Sequence, residues 1–142
     1  MATVEKRRQS ADLSNLVQPE LNPQDWEDFE RGIVLFNSGK YWESHEAWEE
    51  VWKRHPENSR IFFQGLIQVA AALHQLQRQI YHGTEKHFRN ALWKLKPFQP
   101  ETLGIDVTQL VTAMVKCQAE LSSKKLEQFD KRLIPTISKI NR

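Results

Sequence analysis

The sequence predicts an all-α domain, and three observations carry that expectation. Apolar residues recur at helical spacing in five successive segments. Gly (5) and Pro (6) are sparse and fall between those segments, and no segment reads as a sheet strand. The architecture expected is a compact bundle of about five helices with the third central and buried. A chain of 142 residues can bury roughly 70% of the surface its unfolded form exposes, so a core forms without metal or disulfide.

Residues 1–21 are polar and aperiodic and predict a flexible or loosely docked arm. Asn22-Pro23 then starts a helix, Asn as N-cap and Pro at the first helical position, with Trp26, Phe29, Ile33 and Phe36 inward. Asn37-Ser-Gly39 stops it. The second helix runs from Lys40 to Arg54, before His55-Pro56. Ser59 is placed to cap a third, Arg60 to Tyr81, the most apolar of the set. Its stripe is Phe62, Leu66, Val69, Leu73, Leu76 and Ile80, widened by Phe63, Ile67 and Ala70.

His82-Gly83 ends that helix in this reading. Thr84 caps a fourth, with Phe88, Ala91, Leu92 and Leu95 inward and Pro97 closing it. Asp106 and Gln109 have the spacing of a capping box and open a fifth, carrying Val107, Leu110, Val111, Met114 and Leu121. The helical domain therefore covers residues 22–121. Residues 122–142 form a basic tail, six basic residues against two acidic, expected as a short helix plus an extended strap.

Between residues 26 and 56, Gly32, Leu35, Gly39, Tyr41, Ser44, Trp48, Val51 and Pro56 fall near the spacing of a tetratricopeptide (TPR) helix pair. No second copy follows, so the expectation is one TPR-like hairpin inside a globular bundle. The formal charge of +2 argues against a general nucleic-acid binder. Absence of an 18-residue apolar run, of a signal peptide and of any cysteine besides Cys117 fits a soluble, cytoplasmic protein without disulfides.

Chemistry concentrates on the second helix. Tyr41, Ser44, Trp48, Val51 and Trp52 form its inward face; Glu43, Glu46, Glu50 and Lys53 lie opposite. His45 and Glu49, at i and i+4, share one flank, where a base or metal ligand would be mounted. The string His45-Glu46-x-x-Glu49 is one letter from the zinc-protease motif, but Glu46 faces away from that flank. The spacing of a di-iron carboxylate site is missing, because no Glu here has a His three residues on. A mononuclear divalent metal site using His45, Glu49 and a donor such as His74 is the metal reading that survives.

On the third helix Gln64, Gln68 and Gln75 stand in line, with Gly65, Ala71 and Ala72 nearby to let a neighbour approach. Buried amides need partners, and bonds from Gln64 or Gln68 to His45 or Glu49 are the simplest supply. His74 reads first as a satisfied core histidine, while His55, His82 and His87 read as solvated. Cys117 reads as a small buried hydrophobe. Trp26, Trp48 and Trp52 read as core or core-edge aromatics; Trp42 and Trp93 face away from the main stripes and could line a partner surface. There is no Gly-rich phosphate loop, nucleophile elbow or Rossmann signature.

Phe36-Asn-Ser-Gly39-Lys-Tyr41-Trp-Glu43-Ser-His45-Glu46-x-x-Glu49-x-x-Trp52, followed by Phe63-Gln64-Gly65-Leu-Ile-Gln68-Val-Ala-Ala-Ala-Leu-His74, resembles the small helical family called domain of unknown function 309. The resemblance covers roughly residues 28–96. It implies a compact multi-helical domain of bacteria, archaea and plastid-bearing lineages, and no activity. Its carboxylate–histidine and glutamine patterns fall on Glu43, His45, Glu46 and Glu49, and on Gln64 and Gln68. Gln79 and Ile80 depart from it, where the family has a polar turn with Asn before the glycine.

The leading expectation is a non-catalytic protein-interaction module, with a protein partner or self-association as a dimer. The alternative is a small metal-binding or hydrolase-like protein with its site between the second and third helices. There His45 would be base or ligand, Glu49 ligand or orienter, and Gln64 and Gln68 would either support those two side chains or contact the substrate. A weak RNA binder acting through the basic tail is the third reading.

Overall fold

The computed structural model describes residues 16–56 and 59–140. Most of the predicted arm, residues 1–15, lies outside the described residues, as do 57–58 and the last two positions of the tail. Among the described residues five α-helices follow one another: α1 Pro23–Asn37, α2 Tyr41–Lys53, α3 Ile61–Gln77, α4 Tyr81–Leu95 and α5 Val107–Ser123. The fold is all-α. None of these helices is long and apolar enough to cross a membrane.

α1 begins as its sequence predicts. The Asn22 side chain accepts from Asp25 N at 2.8 Å, and Asn22 N donates back to Asp25 Oδ2 at 3.3 Å. Its buried stripe is Asp25, Asp28, Phe29, Gly32, Ile33 and Phe36. Trp26, expected inward, is exposed and meets the buried Phe29 only edge-on. Gly39 makes the turn into α2 at φ +78°, a conformation open to glycine without strain.

α1 and α2 then approach closely because Gly32 has no side chain. A Cβ there would fall 2.2 Å from the fully buried Trp48 indole nitrogen. That indole donates to Phe29 O at 3.2 Å, and Ser44 Oγ donates to Gly32 O at 2.8 Å. Two polar groups on the inward face of α2 are thereby satisfied by α1 backbone.

α3 is the central helix; every residue from Ile61 to Ala70 is buried. It ends earlier than its apolar stripe suggests. Gln79 takes a left-handed φ of 58°, and α4 starts at Tyr81 rather than after Gly83. Ile80 is therefore an exposed N-cap residue, not core. Thr84 is no cap either; it sits inside α4 and its hydroxyl donates to Ile80 O at 2.8 Å. Nor does Ser59 cap α3: its hydroxyl donates to Pro56 O, and Arg60 occupies the N-cap position. The departure from the resembled family thus falls on a residue whose backbone Asn would adopt more readily than Gln.

Two short strands correct the strand-free expectation. Glu101–Thr102 (β1) pairs antiparallel with Ile105–Asp106 (β2) around Leu103 and Gly104, both at positive φ. Asp106 caps α5 by accepting from Gln109 N at 2.9 Å, without the reciprocal half of a box, since Gln109 Oε1 has no hydrogen-bond partner. In the tail the predicted helix is replaced by 3-10 turns at Leu126–Gln128 and Lys131–Leu133, followed by an extended run. That run bonds Asn37 of α1 through Ile137 N and O, at 2.7 and 3.1 Å, and bridges β2 at Ile105. Lys124, Arg132 and Lys139 pair with Glu120, Asp130 and Glu30.

Candidate functional site

Among the described residues two polar clusters interrupt the apolar packing. One joins α1 to the end of α2. Asp25 and Asp28 lie on the buried stripe of α1, and Arg54 spans them with Nη1 at 2.7 Å from Asp25 Oδ1 and Nη2 at 2.5 Å from Asp28 Oδ2. His55 Nε2 is 3.0 Å from Asp25 Oδ2, and Gln24 and Arg31 complete Asp28. Burial pushes the Asp25 carboxyl up, but the hydrogen bonds from Arg54, His55 and Asn22 outweigh it and hold it below its usual value. For Asp28 burial is likewise outweighed, by Arg54, Gln24 and the nearby charge of Arg31. His55, expected solvated, is largely buried against Phe63 with ring centroids 6.0 Å apart. This cluster works as a structural staple.

The second cluster is the seam where α2 and α4 flank α3. From α2, His45 Nε2 faces Glu49 Oε1 at 3.1 Å, the i, i+4 pair that the sequence placed on one flank. Trp42 stacks on His45, ring centroids 5.0 Å apart and planes at 17°, and leans on His74 of α3 at 5.2 Å. His74 is thus half-buried at the seam rather than in the core. Burial lowers its pKa, and the charges of Arg78 and His45 lower it further against Glu43. From α4, Lys94 is fully buried and donates to Gln68 Oε1 at 2.9 Å.

The amides of α3 therefore behave differently from expectation. Gln68 is engaged by Lys94, a residue the sequence reading passed over. Gln64, at 0% exposure, has no hydrogen-bond partner among the described residues for either side-chain nitrogen or oxygen. The bonds expected from it to His45 or Glu49 are not made. His45 Nδ1 and Gln75 Oε1 are also buried without a partner. Each such atom costs about 1–3 kcal/mol relative to a satisfied one.

A cavity of about 260 Å³ opens at this seam, lined by Trp42, His45, Ile67, Gln68, Ala71, His74, Gln75 and His87. His87, read as solvated, belongs to it. α4 reaches the seam because Gly83 packs on Gln75; a Cβ there would lie 3.2 Å from Gln75 Cγ. Gly83, His87 and Lys94 are four and seven residues apart and share a helix face, a signal visible only once α4 is started at Tyr81.

Among the described residues no three His, Cys, Asp or Glu side chains lie close enough together to hold a metal ion. His45 and Glu49 come together and His74 shares their seam, yet the three do not form such a group. A second cavity, about 250 Å³, lies under the tail between Tyr41, Leu76, Phe129 and Ile134. Burial and the neighbouring Cys117 raise the Tyr41 hydroxyl, and burial together with Glu120 pushes Cys117 up to about 12. Cys117 is thus inert as a nucleophile.

Residues 29–86, from Phe29 within α1 to the first turns of α4, match the family described as a domain of unknown function (DUF309). No curated protein matches the chain significantly.

Proposed function

We propose, for a chain built around a DUF309 domain, that its function is to bind a small polar molecule in the seam between α2, α3 and α4. One observation carries this reading: two atoms of the cavity lining, Gln75 Oε1 and His45 Nδ1, are buried with no hydrogen-bond partner among the described residues. Buried polar groups are ordinarily satisfied. A concentration of unsatisfied ones beside a cavity supports a site built to be completed by something bound there. His45, steadied by Glu49 and Trp42, is the side chain best placed to accept a hydrogen bond from that molecule.

A protein-interaction role has a narrower base. Trp42, one of its two expected aromatic supports, lines the cavity, so the exposed aromatics outside it are Trp93, Trp26 and Tyr81, among which Trp93 is the one expected from the sequence. Light scattering across a concentration series tests self-association through that face.

The seam is tested with a variant that fills it. Ala71 lines the cavity and is not fully buried, so Ala71→Leu adds bulk there without breaking the core. Ligand-observed NMR with a mixed panel of small polar fragments should find binders that Ala71→Leu loses by about tenfold or more. Should every fragment bind the folded variant as it binds the parent, the seam is not the site.

A further inference from the structure

Resting on that reading, we propose that the ligand is a neutral planar nitrogen heterocycle of one or two rings, the chemistry of a nucleobase. Size sets the first limit. Pockets for cofactors and drug-sized molecules span roughly 300–1,000 Å³, and this cavity, about 260 Å³, falls below them. A base fits that scale.

The walls favour a flat molecule. Ala71 lies between Gln68 and Gln75 on α3, and with Ile67 it forms an apolar stretch of lining bounded by amides. Trp42, His45, His74 and His87 line the same cavity, and since Trp42 and His45 stack on each other a flat ligand would meet these rings on the faces which that pair leaves free. Aromatic faces of this kind stack well on heterocyclic bases, at about 1–3 kcal/mol per base.

The polar groups define the rim of the ligand. Lys94 occupies Gln68 Oε1, which leaves the Gln68 amide nitrogen as the group that can donate. Gln75 Oε1 is an acceptor without a partner. His45 donates from Nε2 when neutral, because the Glu49 carboxylate can only accept, and its Nδ1 is therefore an acceptor, also without a partner. A ligand complementary to this set carries both N–H donors and lone pairs on its edge. An oxyanion would face the acceptor Gln75 Oε1 and, with His45 neutral, the acceptor Nδ1. It would also find His74 held towards its neutral form by burial, Arg78 and His45.

Titrations of the full chain with adenine, hypoxanthine and uracil, against glucose, acetate and inorganic phosphate, test the class. ¹⁵N-resolved NMR of the Gln75 amide and the His45 ring is the readout. At least one base should bind with Kd on the order of 0.1–1 mM. Both Ala71→Leu and Gln75→Leu should weaken it about tenfold or more, with unchanged circular dichroism. Glucose, acetate or phosphate binding at the seam while the bases stay silent would overturn the proposed class and leave the seam itself standing. If no probe or fragment distinguishes the parent from Ala71→Leu, the site falls, and this inference with it.

Discussion

The staple at Asp25, Asp28, Arg54 and His55 and the seam at His45, Gln68 and Gln75 are both buried polar clusters, yet they are finished to different degrees. In the staple each carboxylate is bonded on both oxygens, and one guanidinium serves two acids. In the seam His45 Nδ1 and Gln75 Oε1 have no hydrogen-bond partner among the described residues. The first cluster closes on itself and fixes the angle between α1 and α2. The second is left open beside a cavity. Burial of polar side chains alone does not identify a site; incomplete satisfaction beside a cavity does.

The sharpest break of that comparison is Arg54→Ala. It strands two carboxylates on the buried stripe of α1, and stability measured by urea unfolding should fall by about 3 kcal/mol. A loss near zero would mean that the staple is ornamental.

Acid probes the same cluster more gently. Asp25 and Asp28 both titrate below their usual 3.8 when folded. Their contribution is therefore present above that pH and is lost as pH falls through the lower folded-state values. The stability advantage of the parent over Asp28→Asn should hold from neutral pH down to the usual carboxylate range and shrink below it. Urea midpoints collected across that range are the measurement.

The smallest expected effect has the opposite sign. Gln64→Leu replaces an unsatisfied buried amide with an apolar side chain of similar size and should stabilise the protein by about 1 kcal/mol, read as a raised Tm. A destabilisation of that size would show that the amide is satisfied in solution, as the polar groups of the staple are.

Much of the scaffold was legible in the sequence because helix formation is a local matter. Asn22-Pro23, Gly39 and Asp106 announce starts and stops through backbone conformation and capping, which depend on a few neighbouring residues. The boundary between α3 and α4 misled because Ile80 continues the apolar spacing of α3 across a turn. Nothing in Gln79 advertises a left-handed residue as Gly or Asn would. Asp25 and Asp28 hid in plain view: their spacing to Phe29, Gly32 and Phe36 puts them on the inward stripe, where an acid signals a buried cation elsewhere.

The sequence by itself determined the helical class, the pairing of His45 with Glu49 and the line of glutamines on α3, since each follows from the pitch of a single helix. Only the tertiary structure decided which of those polar groups would be answered. Lys94 reaches Gln68, and Gly83 lets α4 close on Gln75, while Gln64 and His45 Nδ1 receive nothing from any helix. Satisfaction of a buried polar atom depends on groups brought together from three helices. No periodicity along one of them can specify it.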